Sequence, residues 1–412
     1  MIELFPNISL QRLGKVNPLS IDDFINTDGF LAIKKAFTFQ PIELLEKVEK
    51  SGLRGRGGAG FPTGIKQRFA SNSLSDHDVR FVICNADEGE PGTFKDRFII
   101  ETDPFLLIEG IMLAGYAIGA KYGYIYLRGE YHQSIKNMKN AIDSCYKNGY
   151  LGKNILGSGF SFDMKVFLGA GSYLCGEELT MIESLEGKRG YPRIKPPFPA
   201  EKGLWGLPTL INNVETFSHL PFIMNNGIEA YSKIGTTESK GTKLFCVSGN
   251  VFKTGVFELP MGVTLRELIF EISGGMKENL EFKGALLGGA AGTFVDATLL
   301  DVPLAYETLK AHQATMGSGA VIVIDNKTNI HELLTSILSF FKHESCGKCV
   351  PCRIGTALLA DTIKKENLTE TDLMWMQSEA EYIAKNSLCP LGQSPILPIR
   401  SCINYFKNDI LL

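Results

Sequence analysis

The first half of the chain alternates between short apolar runs and stretches with helical periodicity. The apolar runs are rich in β-branched and aromatic residues, so each of them predicts a buried strand. These runs cover residues 79–84, 122–127 and 164–168. The helical patterns begin at about residue 41 and recur over 63–69, 103–119, 131–147 and 177–185. Strands that alternate with helices predict an α/β fold with a largely parallel sheet and ligand-binding loops at the carboxyl ends of its strands.

The second half of the chain changes pattern twice. Residues 244–249 and 255–260 predict a hairpin, which is followed by a helix over 264–272 and a strand over 320–324. We interpret this small ββαβ unit as a ubiquitin-like module. From residue 329 onward, apolar residues recur at helical spacing and predict helices to the end of the chain.

Residues 187–213 lie between these patterns and are rich in proline and glycine, so no regular element is predicted there. A long irregular segment inside a compact domain is usually functional or wrongly assigned. We favour a function, because the segment carries several basic residues together with the aromatic residues Phe198 and Trp205.

Composition limits the class of protein. The chain has 412 residues, enough for two to four domains, and a net charge of −3 that provides no global basic surface for nucleic acid. No apolar run reaches the ~18–20 residues of a membrane helix, and residues 1–4 lack the layout of a signal peptide. We therefore expect a cytoplasmic protein in a reducing compartment. There, nine cysteines indicate a metal or cluster site rather than disulfides.

The most informative stretch is RGRGGAGFPTGIK at residues 54–66. The spacing G-x-G-x-x-G is met by Gly55, Gly57 and Gly60. However, the stretch follows a helical pattern, whereas a dinucleotide fingerprint should follow a strand. The basic residues that would attract a phosphate are Arg54, Arg56 and Lys66. Two interpretations stay open: a flexible glycine hinge, or a cradle for a phosphorylated cofactor in a non-standard nucleotide fold.

Four cysteines have the spacing of a cluster site. Cys346, Cys349 and Cys352 form C-x-x-C-x-x-C, and Cys389 follows later in the chain. Three closely spaced thiolates and a distant fourth are typical ligands of an iron–sulfur cluster. Zinc is the main alternative, although its sites more often combine two C-x-x-C pairs.

Acidic residues follow two of the predicted strands. One group is Asp87, Glu88 and Glu90, and the other is Glu177 and Glu178. Each residue alone could be a solvated loop acid or a charge at a helix N-terminus. Their position beside glycine-rich loops at strand ends favours a nucleotide site, where carboxylates bind sugar hydroxyls.

Four motifs together resemble a known family. They are RGRGGAGFP (54–62), NADEGEPGTFKDR (85–97), GAGSYLCGEE (169–178) and ESCGKCVPCR (344–353). These motifs resemble the NADH-binding flavoprotein subunit of respiratory complex I, a module that also occurs in NAD-linked hydrogenases and formate dehydrogenases. The resemblance extends from about residue 30 to the end of the chain.

The resemblance implies a fold and a set of cofactors. The expected units are an N-terminal region with the glycine-rich loop (1–65), a Rossmann-like FMN/NADH domain (66–240), a ubiquitin-like, SLBB-type module (241–328) and a helical bundle with the iron–sulfur cluster (329–412). The implied cofactors are FMN, NAD(H) and one 4Fe–4S cluster. The implied activity is that of an NADH dehydrogenase, or diaphorase, in which hydride passes to FMN and single electrons pass to the cluster.

The resemblance also assigns residues. Residues expected to line FMN are Gly55, Gly57, Lys66, Asn85, Asp87, Tyr173, Gly176, Glu177, Asn212 and Asn213, with Glu88 beside them. Residues expected to meet the dinucleotide are Phe61, Phe69, Glu90, Glu178, Lys195 and Phe198, of which Glu90 and Glu178 are the predicted catalytic pair. The expected cluster ligands are Cys346, Cys349, Cys352 and Cys389.

The parent complex stays open at this point. Respiratory complex I is favoured, but SLCPLGQ (387–393) and MGSGAV (316–321) are more similar to the hydrogenase and formate dehydrogenase versions. The expected partners are a thioredoxin-like 2Fe–2S subunit and a larger iron–sulfur subunit, with no nucleic acid and no direct membrane span. We expect NADH to be preferred over NADPH, because acids rather than arginines surround the predicted ribose site. A non-catalytic, zinc-containing assembly subunit is the alternative from another class.

Overall fold

The structure is a computed structural model that describes residues 6–73 and 79–411. Residues 1–4, which carried the expectation of no signal peptide, lie outside the described residues. None of the helices in the described ranges is long and apolar enough to cross a membrane.

Four parallel strands form the first sheet. They are β1 (Phe81–Ala86), β2 (Tyr122–Arg128), β3 (Asp163–Gly169) and β4 (Thr209–Asn213), in the order β3-β2-β1-β4. The largely parallel sheet predicted from the alternating pattern is therefore confirmed. Parallel pairing places the carboxyl ends of the strands at one edge, where Asn85 of β1 lies opposite Asn213 of β4.

Helices precede, connect and follow the strands of this sheet. The N-terminal helices are α1 (Ile21–Asn26), α2 (Leu31–Ala36), α3 (Pro41–Ser51) and α4 (Thr63–Asn72). The later ones are α5 (Lys95–Thr102), α6 (Pro104–Ile118), α7 (His132–Lys147), α8 (Glu178–Leu185), α9 (Pro199–Lys202), α10 (Val214–Ser218), α11 (Leu220–Asn226) and α12 (Ile228–Ser232). Nearly every residue of α6 is buried, and Asp103 caps this helix by accepting the backbone N–H of Leu106 at 3.1 Å. The N-terminal helices share one hydrophobic core with α6 and the sheet.

The prediction that residues 187–213 form no regular element is partly wrong. It contains α9, a 3₁₀ turn at Leu204–Gly206 and the whole of β4. The strand was missed because only Leu210 and Ile211 are apolar in it and Pro208 precedes it. Tertiary pairing with β1 makes it a strand, since Leu210 lies opposite Val82 in the register. Helices α1, α2 and α5 were also missed, because each is short and polar in part.

The second sheet has five strands. They are β5 (Thr242–Gly249), β6 (Gly255–Pro260), β7 (Phe282–Leu287), β8 (Thr293–Val295) and β9 (Ala320–Asp325), in the order β6-β5-β9-β7-β8. Strands β5 and β9 run parallel in the middle, and the other pairs are antiparallel. The predicted hairpin and final strand are confirmed, and this strand order is the one expected of a ubiquitin-like module.

The predicted ββαβ unit did not include β7 and β8, two strands of this sheet. Strand β7 was missed because Gly284 interrupts its apolar run. The structure requires glycine at this position, since a Cβ there would lie 2.6 Å from the Phe406 ring. Strand β8 is only three residues long. The predicted helix over 264–272 is mostly a π-helical segment, Glu267–Ile272. Helix α13 (Tyr306–Ala311) precedes β9.

The C-terminal segment is helical, as predicted. Its helices are α14 (Ile330–Glu344), α15 (Val350–Thr362), α16 (Glu370–Asn386), α17 (Pro390–Gln393) and α18 (Ile396–Ile410). Asn329 caps α14, and the apolar spacing noted in the sequence forms its buried face, which includes Leu334, Leu338 and Phe341. These helices pack into one core that also contains Leu174, in the turn after β3, and Phe294 of β8, so the bundle contacts the second sheet and the turn that follows β3.

Candidate functional site

A large cavity opens where the carboxyl ends of the first sheet meet the second sheet and the helical bundle. Its volume is about 1170 Å³. Every residue that the family resemblance assigned to FMN or the dinucleotide lines it: Gly55, Gly57, Phe61, Lys66, Phe69, Asn85, Asp87, Glu88, Glu90, Tyr173, Gly176, Glu177, Glu178, Lys195, Phe198, Asn212 and Asn213. The fold therefore brings together segments that are far apart in the chain.

The glycine-rich loop forms one wall of this cavity. The N–H of Gly55 donates to the carbonyl of Phe61 at 2.8 Å, which closes the loop on itself. Gly60 has a φ of 63°, and a Cβ there would lie 2.7 Å from the ring of Tyr306. A Cβ at Gly57 would lie 3.1 Å from Asn213. The loop is thus packed in place, which favours the cradle interpretation over a flexible hinge.

Two of the three basic residues in this stretch do not line the cavity. Arg56 is fully buried behind the loop, where its Nε donates to the carbonyl of Thr242 at 2.9 Å. Arg54 donates to the carbonyl of Gly60 at 2.7 Å and lies over the ring of Tyr306. Both arginines stabilise the loop, so their predicted role in attracting a phosphate is wrong. Lys66 is the basic residue of this stretch that lines the cavity.

Asp87 and Asn212 have polar atoms without partners. Both carboxylate oxygens of Asp87 and Nδ2 of Asn212 are buried and accept or donate no hydrogen bond within the described residues. Burial raises the pKa of Asp87 to about 7, while the charge of Arg128 acts in the opposite direction. Unpaired buried polar groups are costly. A polar ligand in the cavity would satisfy them.

The neighbouring Glu88 is engaged by the protein itself. Its two carboxylate oxygens accept the backbone N–H groups of Asp96 at 2.8 Å and Arg97 at 3.1 Å, in the first turn of α5. Burial, followed by the charge of Asp96, raises the pKa of Glu88 to about 7. Glu88 therefore has fewer free acceptor positions for a ligand than Asp87.

Glu90 is held from two sides. Oε2 accepts the hydroxyl of Tyr173 at 2.7 Å, and Oε1 accepts the backbone N–H of Ala291 at 3.0 Å. Ala291 belongs to the turn between β7 and β8, so the second sheet takes part in positioning this carboxylate. Burial raises the pKa of Glu90, and these two hydrogen bonds counteract the increase.

Two ion pairs also line the cavity. Lys66 pairs with Glu178, and Nζ of Lys195 lies 2.8 Å from Oε1 of Glu177. The other carboxylate oxygen of Glu177 caps α8 by accepting the backbone N–H groups of Leu179 and Thr180. Both lysines are partly exposed, so an anionic ligand could replace or join their carboxylate partners.

The amide side chains are shared between the cavity and its walls. Asn85 donates to the carbonyl of Gly176 at 2.8 Å, which joins β1 to the turn after β3. Asn213 donates to Asp96 at 2.6 Å and accepts from Lys95 at 3.0 Å. Asn213 is therefore largely committed to the protein.

Three phenylalanines stand at the mouth of the cavity. Phe61, Phe69 and Phe198 line it and are each about half exposed, at 49%, 55% and 52%. Exposed aromatic rings at a pocket are suited to stacking against a flat ring. Their exposure is thus consistent with a base-binding position rather than with the protein core.

Several lining residues were not assigned from the sequence. Lys95 and Asp96 lie within the NADEGEPGTFKDR motif, but nothing in their spacing indicated a cavity role. Others come from the second sheet and the bundle, and only the tertiary structure could place them there: Gly288, Ala291, Thr315, Gly317, Ser318, Pro390, Leu391, Ser394 and Leu397.

The four predicted cluster ligands lie together in the helical bundle. Cys349 directly precedes α15 and Cys352 is in its first turn, while Cys389 directly precedes α17. A Cβ at Gly392 would lie 3.0 Å from Cβ of Cys352, which shows how closely the two segments approach. Besides burial, each of the other three thiols raises the pKa of Cys352, so all four are electrostatic neighbours.

The environment of these thiols fits a cluster. Burial raises the pKa of Cys352 and of Cys389 to about 11, while the N–H groups of Leu391 and Gly392 favour the Cys389 thiolate. Within residues 6–73 and 79–411, no three His, Cys, Asp or Glu side chains converge on the position of one metal ion. Four neighbouring thiols, one of them favoured as a thiolate by backbone N–H groups, supply the ligand set of an iron–sulfur cluster.

The remaining cysteines are buried free thiols. Cys84, Cys145, Cys246 and Cys402 are fully buried, as expected for structural thiols. Cys175 is also buried, and its sulfur lies 3.1 Å from a Cβ built at Gly190.

The cavity and the cysteine set define a class: a flavoprotein with a nucleotide site and an iron–sulfur cluster in one chain. Family comparisons agree with this class. The family described as the Nuo51 FMN-binding domain matches residues 48–221. The iron–sulfur binding region of NADH-ubiquinone oxidoreductase-F matches residues 332–411.

Whole-chain relatives extend the match. The chain is 48% identical to the F subunit of the NADH-quinone oxidoreductase of Aquifex aeolicus, over 98% of this chain and 93% of that one. It is 45% identical to HndC, a subunit of the NADP-reducing hydrogenase of Solidesulfovibrio fructosivorans, over 98% and 82%. Among solved structures, an NAD⁺-reducing [NiFe]-hydrogenase in the H₂-reduced state matches with a TM-score of 0.86 and 36% identity. The match covers 98% of this chain and 66% of the length of that hydrogenase chain.

This chain belongs to the family of the NADH-quinone oxidoreductase F subunits and their hydrogenase relatives. It is an NADH oxidoreductase with FMN and one 4Fe–4S cluster, as the resemblance implied.

Proposed function

We propose that this chain takes hydride from NADH in the cavity and delivers single electrons to the 4Fe–4S site, as one subunit of a multi-subunit redox complex. Bound FMN supplies the conversion between two-electron and one-electron transfer. The chain's own residues bind and orient the two nucleotides, exclude water and hold the four thiolates.

One observation carries this proposal. The cavity lined by Asp87 and Asn212, whose buried polar atoms are unpaired within the described residues, is also lined by Pro390 and Leu391, the two residues directly after Cys389. A nucleotide site and a cluster site therefore share a wall. Electrons can pass between them without leaving the protein.

Residue roles follow from position in the cavity. The glycine loop, with Gly55, Gly57 and Lys66, together with Asn85, Asp87, Glu88, Tyr173, Gly176, Glu177, Asn212 and Asn213, would hold FMN. Asp87 and Asn212 offer the free acceptor and donor positions for its polar groups. Phe61, Phe69 and Phe198 would surround the adenine of the dinucleotide, and Lys195 would meet its phosphates.

Glu90 and Glu178 are the proposed catalytic pair at the dinucleotide. The hydrogen bonds from Tyr173 and Ala291 fix the orientation of Glu90. Glu178 is paired with Lys66 and would accept the ribose hydroxyls. A carboxylate at this position repels a 2′-phosphate, which supports a preference for NADH over NADPH.

The proposed partners are a thioredoxin-like 2Fe–2S subunit and a larger iron–sulfur subunit. Val350, Ile354 and Leu358 form an exposed apolar stripe on α15. The stripe begins between Cys349 and Cys352, so a partner that covers it would lie beside the proposed cluster site. We also propose the four-unit division at 1–65, 66–240, 241–328 and 329–412, and a cytoplasmic location. Nine free thiols support that location.

A second parent complex has specific support. The relative named as a hydrogenase subunit is almost as similar as the relative from a quinone oxidoreductase, at 45% against 48% identity. The flavoprotein subunit of an NAD(H)-linked hydrogenase or formate dehydrogenase is therefore the alternative role. The reaction proposed for the cavity is the same in either complex.

The test is NADH:ferricyanide reductase activity of purified protein reconstituted with FMN, iron and sulfide. We expect a yellow protein that reduces ferricyanide with NADH. A colourless protein that contains zinc without iron or sulfide would instead support a non-catalytic assembly subunit.

A further inference from the structure

Tyr173 contacts the helical bundle directly and is linked to the second sheet through Glu90. It lies in the 3₁₀ turn Tyr173–Gly176 that follows β3. Its hydroxyl donates to Glu90, whose other oxygen accepts the N–H of Ala291 in the second sheet. Its backbone and its ring contact the helical bundle. The side chain that orients Glu90 is thus itself held from the cluster side.

Glu344 makes the backbone contact. Its Oε2 accepts the N–H of Tyr173 at 3.0 Å. Phe340, one turn earlier on α14, packs its ring edge-on against the ring of Tyr173 with centroids 4.9 Å apart. One helix face therefore fixes both the backbone and the ring of Tyr173.

The position of Glu344 in its own helix is unusual. It is the last residue of α14, where the partial negative charge of the helix end disfavours a carboxylate. Cys346 follows two residues later. The tertiary contact with Tyr173, rather than the helix itself, therefore explains an acid at this point. The segment that carries Cys346 and Cys349, here called the cluster loop, begins directly after this helix end.

The hydroxyl of Tyr173 is the donor in its contact with Glu90, at 2.7 Å. Burial raises the pKa of Tyr173 well above its ordinary value, and the carboxylate of Glu90 adds to this effect, so the hydroxyl keeps its proton as the donor. Glu90 accepts one hydrogen bond from this hydroxyl and others from backbone N–H groups of the turn between β7 and β8. A shift of the turn that carries Tyr173 would remove the bond from its hydroxyl and change the place of the carboxylate.

We propose that Glu344 is a positioning residue that, by holding Tyr173, fixes Glu90 for the dinucleotide, so that the end of α14 at the cluster loop also sets the affinity for NADH. The inference rests on the proposed function, in which Glu90 meets the dinucleotide. It assigns no direct contact between Glu344 and either nucleotide.

The first test uses Glu344→Ala, Glu344→Gln and the control Glu332→Ala, an exposed acid at the opposite end of α14. Hydrogen–deuterium exchange of peptides containing Tyr173 reports on the backbone bond directly. We expect Glu344→Ala to raise this exchange about tenfold, the value of one lost charge-assisted hydrogen bond. The glutamine keeps an acceptor oxygen and should restore protection, and the control should match the wild type.

Steady-state kinetics with ferricyanide give the second readout. We expect Glu344→Ala to raise the KM for NADH about tenfold and to change kcat by less than about twofold, because a ground-state contact is lost. FMN content should fall less than the affinity for NADH does, since Tyr173 is only one of the residues proposed to hold FMN, and Asp87 and the glycine loop are untouched. An unchanged KM, or loss of FMN in step with NADH binding, would overturn the inference.

Tyr173→Phe tests the same link without altering the cluster loop. It keeps the ring and the backbone N–H but removes the donor to Glu90, so it should raise the KM while exchange at the turn stays protected. If that KM is unchanged, Glu90 is not positioned through Tyr173 and the inference fails. A wild-type protein that binds FMN but cannot oxidise NADH would instead refute the proposed function.

Discussion

The substitution Asp87→Asn tests two expected effects of the buried Asp87 carboxylate. This carboxylate should destabilise the FMN-free protein, and it should strengthen the binding of FMN. The Asp87 carboxylate is buried with both oxygens unpaired, and its pKa rises from 3.8 to about 7 in the folded chain. Because the folded pKa lies above the unfolded one, the FMN-free protein loses stability as pH rises from about 4 to about 7, and the loss is complete above that. An asparagine does not titrate, so the variant should lack this loss.

The size of the effect follows from the shift. At ~1.36 kcal/mol per pH unit, the window between about pH 5.5 and 7 corresponds to ~2 kcal/mol. The difference in free energy of unfolding between variant and wild type should therefore move in favour of Asp87→Asn by about 2 kcal/mol from pH 5.5 to pH 8. Other titrating groups, such as Glu88, cancel because they are present in both proteins.

Urea unfolding of the FMN-free proteins at the two pH values measures this difference. Asp143→Asn removes an exposed carboxylate on α7 and serves as the control, for which we expect no pH-dependent difference. Equilibrium titration with FMN should show the opposite sign, with weaker binding to Asp87→Asn, because the ligand loses a charged acceptor. A variant without the pH-dependent gain, or with unchanged FMN affinity, would refute the reasoning.

Two further substitutions address the other sites. Cys389→Ala should abolish the electron paramagnetic resonance signal of the reduced cluster while FMN stays bound; a retained signal would show that another residue is the fourth ligand. Glu178→Gln should raise the KM for NADH more than the dissociation constant of FMN, because we propose that Glu178 meets the dinucleotide; equal losses of both would contradict that proposal.

The parts of this site that could be predicted from sequence are those with local signals. Cys346, Cys349 and Cys352 lie within one short segment, so their spacing alone indicates a common ligand. The alternation of strands and helices predicted the parallel sheet for the same reason. A strand such as β4 gave no such signal, because its stability comes from pairing with β1 rather than from its own residues.

Side-chain direction was the main feature that sequence could not provide. Arg56 and Lys66 belong to one glycine-rich motif, yet Arg56 points into the protein and Lys66 into the cavity. The difference depends on Thr242 and Tyr231, which lie far along the chain and accept the guanidinium hydrogen bonds. The contribution of Ala291 and Leu391 to the cavity likewise depends on how the second sheet and the bundle pack against the first sheet.

The central claim is that one chain connects an NADH site, FMN and a 4Fe–4S cluster. The most direct measurement is an anaerobic titration of the reconstituted protein with NADH, followed by flavin absorbance and by electron paramagnetic resonance. The account predicts that flavin absorbance is bleached and that a reduced-cluster signal appears, which depends on Cys389. Bleaching without any cluster signal in protein that contains its full iron and sulfide, or no response to NADH at all, would contradict it.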